Sequence, residues 1–302
     1  MQTTPPTAAG LAGSVIAVPP LCRAADLAID RAENRKLIRH IESGGVRTLL
    51  YGGNANLYNI APSEYPELLD MLAGEAGDDT LVIPSAGPFF GTMIDQAKAL
   101  RASEFPTVMV LPTLFPATHS GVATAVRHFV ERAEIPAVLY LKDERYLSPE
   151  AAAALVADGL ISLIKYAVVR DDPADDPFLE KLVGLVGPQM IVSGIGEQPT
   201  VVHLMKFGLA GFTSGCVCVN PAKSMAVLAA LRSDDVAQAE NLIGHFRPLE
   251  DLRNAHGPIP VLHHAVAEAG IAQTGPHFPL LSALPQNLVA QIASVATTLI
   301  RT

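Results

Sequence analysis

Short runs of apolar and β-branched residues recur along the chain, separated by stretches in which apolar side chains return every three or four positions. The runs predict strands at Ser14–Val18, Arg47–Tyr51, Thr80–Pro84, Thr107–Leu111, Ala137–Leu141, Ile161–Ala167, Gln189–Ser193 and Gly211–Ser214. Their starts lie about 28 residues apart, the size of a short β-then-α unit. Val108-Met109-Val110-Leu111 and Ala137-Val138-Leu139 are apolar without alternation, as parallel strands covered by helices should be. Between the runs the spacing turns helical. In Glu33–Ile41, Leu37, Ile38 and Ile41 share one stripe, with Arg35, Lys36 and Arg39 on the other side. Ser63-Glu64 opens a helix whose apolar side is Leu68, Leu69 and Leu72. Ser148-Pro149-Glu150 joins a capping serine, a proline at the first helical position and an acid beside the helix N-terminus. Eight such units predict an α/β fold, a (β/α)8 TIM barrel. An open doubly wound sheet is the competing arrangement, because a strand count from one sequence is inexact.

After Pro221 the strand pattern stops. Met225–Leu231, Asp234–Phe246, Pro260–Ala269 and Gln286–Ile300 read as helices. The expected division is a barrel over residues 1–220 and a C-terminal helical region over 221–302 that packs on the barrel or supports assembly. Nothing in that region suggests chemistry.

Composition narrows the class. The chain has 302 residues, enough for one large core or two smaller ones, and its 49% apolar content excludes a disordered protein. With 21 basic against 30 acidic residues the formal charge is −9, and no Lys/Arg-dense face is available to neutralise phosphates, so no nucleic-acid partner is expected. Cys22, Cys216 and Cys218 are too few for a disulfide framework. Met1 to Gly13 lacks the basic start of a secretory signal, and no run reaches the roughly 18 apolar residues of a membrane helix. A reducing cytoplasm and no membrane partner are the expectation.

In a parallel barrel, functional groups sit at the C-terminal ends of the strands. Lys165 stands out there, inside the apolar run Ile161-Ser162-Leu163-Ile164-Lys165-Tyr166-Ala167. An ammonium kept from water has a lowered pKa, and the neutral amine attacks carbonyls. The bland alternative is a snorkelling or ion-paired lysine. Tyr140 ends the preceding strand at similar height, where a phenol can carry protons to and from an imine; a plain core tyrosine is the other reading. Tyr51-Gly52-Gly53-Asn54-Ala55-Asn56 follows the second strand. Its glycines allow positive φ and convergent N–H groups that would hold a carboxylate, although an ordinary βα turn fits as well.

These positions, taken in order, resemble the dihydrodipicolinate synthase / N-acetylneuraminate lyase family of class I aldolases, over about Ser14 to Gly270. The matching pieces are Tyr140, Ile164-Lys165, Ser193-Gly194, Gly211 to Gly215 and Pro258-Ile259-Pro260-Val261. The resemblance implies a (β/α)8 barrel, a homo-oligomer (dimer or tetramer), and a lysine Schiff base with pyruvate or another 2-keto acid. It makes Lys165 the imine former and Tyr140 the proton relay. It places the keto-acid carboxylate on Gly52, Gly53 and Asn54, the second substrate's carboxylate on Arg145, and Gly194 and Thr213 along the site. The second substrate would be an aldehyde or a sugar acid; no cofactor is implied. The chain departs from the family where Gly-Thr-Thr-Gly-Glu becomes Gly52-Gly53-Asn54-Ala55-Asn56, and where Leu114 replaces a tyrosine lent by the neighbouring subunit. The relay is thereby reduced to Tyr140, with Thr113, Tyr58 or a water as helpers. A sugar-acid aldolase or dehydratase of the same family, or a barrel that binds 2-keto acids without turnover, remain alternatives to a synthase.

Four other signals are weaker. The nine histidines, His263-His264 included, lack metal-ligand spacing, so no metal site is expected. Gly194-Ile195-Gly196-Glu197 reads as a strand-end turn rather than a nucleotide loop. Cys216-Val217-Cys218 reads as buried filler. Asp171 to Asp176 reads as a solvated loop.

Overall fold

The computed structural model describes residues 1–302, apart from the side chains of Ala8 and Ala9. Each predicted apolar run forms a strand: β1 Ile16–Ala17, β2 Thr48–Leu50, β3 Leu81–Ile83, β4 Ser85–Ala86, β5 Val108–Val110, β6 Ala137–Leu141, β7 Ile161–Tyr166, β8 Ile191–Ser193 and β9 Gly211–Ser214. All neighbours pair in parallel. The extra strand arises because β3 and β4 are two halves of one stave interrupted at Pro84. Proline has no N–H to donate, but its carbonyl still accepts from Met109 N at 2.8 Å. β3 pairs with β2 while β4 pairs with β5, so the stave changes partners across the break.

Closure decides between barrel and open sheet. β1 pairs with β9 through Ile16↔Thr213 and Ala17↔Ser214, and Val18 N donates to Ser214 O at 2.8 Å. First and last strands are therefore bonded, and the doubly wound alternative fails. The strands are buried almost throughout, which is why their sequences do not alternate.

The first helices lie where the pattern puts them. After α1 (Ala8–Gly13), which the pattern did not signal, α2 spans Arg31–Ser43, with Asp30 accepting from Glu33 N and Leu37, Ile38 and Ile41 facing inward. The next helix, α3, begins at Tyr65, and Glu64 offers it no side-chain cap. The Glu64 carboxylate is instead taken by Arg23. α4 (Phe90–Arg101) and α5 (His119–Ala133) follow, and then α6 (Pro149–Ala157), capped as predicted by Ser148 Oγ accepting from Ala151 N at 3.2 Å. α7 covers Pro177–Val186.

Two stretches differ from expectation. After β8 the chain makes only a short π-type turn, Val202–Lys206, in place of an α-helix. In the C-terminal segment, α8 (Pro221–Arg232), α9 (Val236–His256), α10 (Pro258–Glu268) and α11 (Gln286–Arg301) include a helix longer than the pattern indicated. α9 was expected to end at Phe246 but runs ten residues further, through Pro248. An interior proline removes one hydrogen bond. Here that loss is offset by burial of Leu249 and Leu252 and by polar anchors at Glu250 and Arg253, which tie the helix to the loop after β8. No helix among the described residues is long and apolar enough to cross a membrane.

Candidate active site at the C-terminal mouth of the barrel

Lys165 sits near the end of β7 and is 4% exposed. Its register partner on β6 is Tyr140, so the two side chains emerge at one level of adjacent staves. The lysine Nζ lies 4.4 Å from the Tyr140 ring centroid, over the ring face. Burial, and secondarily the charges of Lys142 and Arg253, lower the Lys165 pKa to about 7. Burial raises the Tyr140 phenol to about 12, against the opposing pull of Arg253. Near neutral pH the pair is therefore a partly neutral amine beside a protonated phenol. Such an amine is a competent nucleophile toward a ketone.

Both residues line a cavity of about 560 Å³ at the C-terminal ends of the strands. Gly194 and Thr213 line it too. A Cβ at Gly194 would fall 2.7 Å from Tyr166 O and 3.0 Å from Lys165 Cγ, so glycine leaves room for the lysine stem. Thr213 is buried on β9. From the turn after β2 only Asn54 reaches the cavity, and its Nδ2 donates to Val18 O at 2.9 Å.

Gly52 and Gly53 are not part of the lining, and neither takes a positive φ; the left-handed residue of the turn is Asn56, at φ 54°. Gly52 is small for packing instead, since a Cβ there would lie 2.6 Å from Met109 Cε and 2.8 Å from Ser85 Oγ. The carbonyls of Gly52 and Gly53 accept from Leu57 N and Asn56 N and close the turn. Arg145 is also absent from the cavity. Its guanidinium folds back on Asp143 in a two-point ion pair of 2.9 and 2.7 Å, in solvent. Thr113 lines a separate groove and donates to Phe115 O at 3.1 Å, so it does not help the relay here.

The cavity holds residues the sequence reading passed over. Lys142, Arg170 and Arg253 line it with Lys165, and no Asp or Glu does among the described residues. In a chain of formal charge −9, this is a local positive field that favours anionic ligands. Lys142 follows directly on β6 and Arg170 lies four residues past the end of β7, where strand-end position was the available signal. Arg170 is pinned by Glu144 and by Asp176, which also caps α7 and accepts from Tyr166 Oη at 2.6 Å. The acidic stretch Asp171 to Asp176 is thus solvated except at its buried last member. Arg253 had no local signal, because α9 was expected to stop before it.

Behind Arg253, Glu197 and Glu250 are wholly buried together with Cys216. Their carboxyl oxygens already accept from Ser214, Ser224, and the N–H groups of Glu197 and Gln198. The Gly194-Ile195-Gly196-Glu197 turn wraps this pair. All three cysteines are free and buried, and desolvation raises the Cys216 and Cys218 thiols.

Holding Lys165 in this place destabilises the fold. Its native pKa lies below its unfolded value of 10.5, so the penalty is full below about pH 7 and fades as pH rises toward 10.5. Lys165→Met should therefore stabilise the protein by on the order of 2–4 kcal/mol at pH 6 and by less at pH 9, read from urea unfolding at the two pH values. Equal stabilisation at both would contradict a neutralised native amine.

The model of the dihydrodipicolinate synthetase family matches residues 14–293. A Saccharopolyspora erythraea protein named "Probable 5-dehydro-4-deoxyglucarate dehydratase" is 24% identical over 306 residues, covering 98% of this chain and 96% of that one. A 4-hydroxy-tetrahydrodipicolinate synthase of Pseudomonas putida is 24% identical over 246 residues, covering 80% and 82%. The crystal structure of the dihydrodipicolinate synthase from Bacillus clausii superposes with a TM-score of 0.84 at 23% identity, covering 97% of this chain and 99% of that one, and so has the same fold. The protein belongs to the dihydrodipicolinate synthetase family of class I lyases.

Proposed function

We propose that the chain is a Schiff-base lyase that dehydrates a sugar-derived 2-keto acid, with Lys165 as the imine former and Tyr140 as the proton donor and acceptor. The observation that carries this reading is the buried Lys165 amine, lowered to about pKa 7, beside Tyr140 in a cavity lined by cations. The amine adds to the ketone and one water leaves as the imine forms. The imine acidifies the neighbouring C–H, and the enamine left by its loss expels a β-hydroxyl as a second water. Hydrolysis of the imine consumes one water and frees Lys165, so one water is lost overall. Tyr140, protonated at neutral pH, supplies the proton that a departing hydroxyl needs.

Dehydration is favoured over condensation by several features. Both threonine hydroxyls of the usual strand-two motif are missing, Leu114 stands where the synthases borrow a tyrosine, and Arg145 is turned away onto Asp143. The relative with almost complete coverage carries the dehydratase name. The competing reading, a synthase joining pyruvate to an aldehyde, is separated by direct assay. 5-Dehydro-4-deoxyglucarate should be consumed, whereas pyruvate with aldehyde partners should give no new carbon–carbon bond; the opposite pattern rejects dehydration.

We also propose self-association, supported by the exposed Phe89, Phe90, Leu114 and Phe115 around a groove beside α5; Phe115 is 83% exposed. A second copy is the occupant that would cover them. Sedimentation velocity should give a dimer or larger species, and Phe115→Asp should shift it toward monomer; a monomeric wild type would refute the assignment.

Borohydride reduction with pyruvate should add mass to wild-type protein on Lys165, with trapping rising through a midpoint near pH 7, and none in Lys165→Ala. Tyr140→Phe should slow trapping by about 10²–10⁴-fold with little change in urea stability. An unchanged rate would remove Tyr140 from the relay.

A further inference from the structure

We infer that Arg253 holds the far carboxylate of a substrate charged at both ends, and that Glu250 and Gly196 set its guanidinium in place. This rests on the 2-keto-acid reading above and adds to it the residue that receives the second carboxylate.

The cavity has two unlike sides. Asn54 lines it from the turn after β2; across the ring, Lys142 and Arg170 follow β6 and β7, and Arg253 enters from α9 beside the loop after β8, with Thr213 next to it on β9. Lys165, on β7, stands among these cations. A keto acid with its first carboxylate near Asn54 and its ketone at Lys165 therefore extends toward the three cations. Those cations are not equivalent. Lys142 is exposed, and Arg170 is engaged by Glu144 and Asp176. Arg253 is only 9% exposed and is held from one side. Its Nη2 donates to Ile195 O, and Nε and Nη2 face Asn254 Oδ1 at 3.3 and 3.1 Å. Its Nη1 has no hydrogen-bond partner among the described residues. A guanidinium clamped along one edge, with the other edge open to a cavity free of carboxylates, is set up to receive one.

The clamp is tertiary. Glu250 Oε1 and Oε2 accept from two successive backbone donors, Glu197 N at 2.8 Å and Gln198 N at 3.0 Å, which locks α9 to the loop after β8. Gly196 makes the approach possible. At φ 111°, a Cβ on it would fall 2.0 Å from Glu250 Oε1 and 2.9 Å from Arg253 Nη1. Burial, and then the neighbouring Glu197, raise the proton affinity of Glu250. Glu250 Oε1 lies 3.7 Å from Arg253 Nη2, beyond hydrogen-bond reach. The guanidinium is thus steadied through the loop after β8 rather than by a close ion pair.

Two six-carbon probes isolate the second carboxylate: 2-oxoadipate carries it and 2-oxohexanoate does not. Half-saturation of the borohydride-trapped adduct on Lys165 should favour 2-oxoadipate by 10- to 100-fold in the wild type. Arg253→Ala should bring that ratio near one and raise the pH midpoint of trapping, because a cation that disfavours the Lys165 ammonium is gone. Arg253→Lys should recover part of the ratio, and Glu250→Gln should lower it several-fold. A merely structural role would move stability without moving the ratio or the midpoint. Lack of preference in the wild type, or full preference in Arg253→Ala, overturns the inference. If no probe forms an adduct with wild-type protein, only the Schiff-base reading fails. Calorimetric binding of 2-oxoadipate still decides: affinity weakened at least tenfold in Arg253→Ala supports the inference, and unchanged affinity overturns it.

Discussion

The desolvation of one amine organises this molecule. A lysine near the end of a stave in a closed parallel barrel is largely kept from water: Lys165 is 4% exposed, and Leu163, Ile164 and Tyr166 beside it are fully buried. Its charged form is disfavoured there, and the native state carries that unfavourable energy for the sake of reactivity. The rest of the mouth is arranged around the result. Gly194 leaves space for the stem, Tyr140 supplies an aromatic face, and Lys142 and Arg253 add like charges that push in the same direction as burial.

The same cations serve a second purpose. A cavity with several basic groups and no lining carboxylate draws anions, although the chain as a whole is acidic. The acids that balance these cations are set back from the cavity: Glu144 and Asp176 behind Arg170, and Glu197 and Glu250 behind Arg253. The C-terminal segment therefore does more than cover the barrel. Through α9 it carries a cation to the mouth, fixed by backbone donors of the loop after β8.

Much was legible because it depends on local pattern. Parallel strands buried on both faces read as unbroken apolar runs, and a lysine interrupting one of them is visible without coordinates. Ser148-Pro149-Glu150 and the Leu37, Ile38, Ile41 stripe located helices by capping and period. Where side chains choose partners far along the chain, the reading went astray. Arg253, held by Ile195 O fifty-eight residues away, reaches the cavity, while Arg145 closes on its near neighbour Asp143. Gly52 was read as permitting positive φ in a turn that holds an anion, whereas its small size answers to Met109 and Ser85 from other staves.

From its order of residues alone, the chain determined eight βα units and the lysine and tyrosine near the ends of successive strands. Those features follow from hydrophobic period and strand register, which act over a few residues. Tertiary structure alone decided that β1 closes on β9, that α9 continues past Pro248, and that Arg253 rather than Arg145 faces the cavity. The reason is range. Burial and charge pairing are settled by whatever lies nearest in space, and Glu250 meets the N–H groups of Glu197 and Gln198 only after the barrel has brought segments more than fifty residues apart into contact.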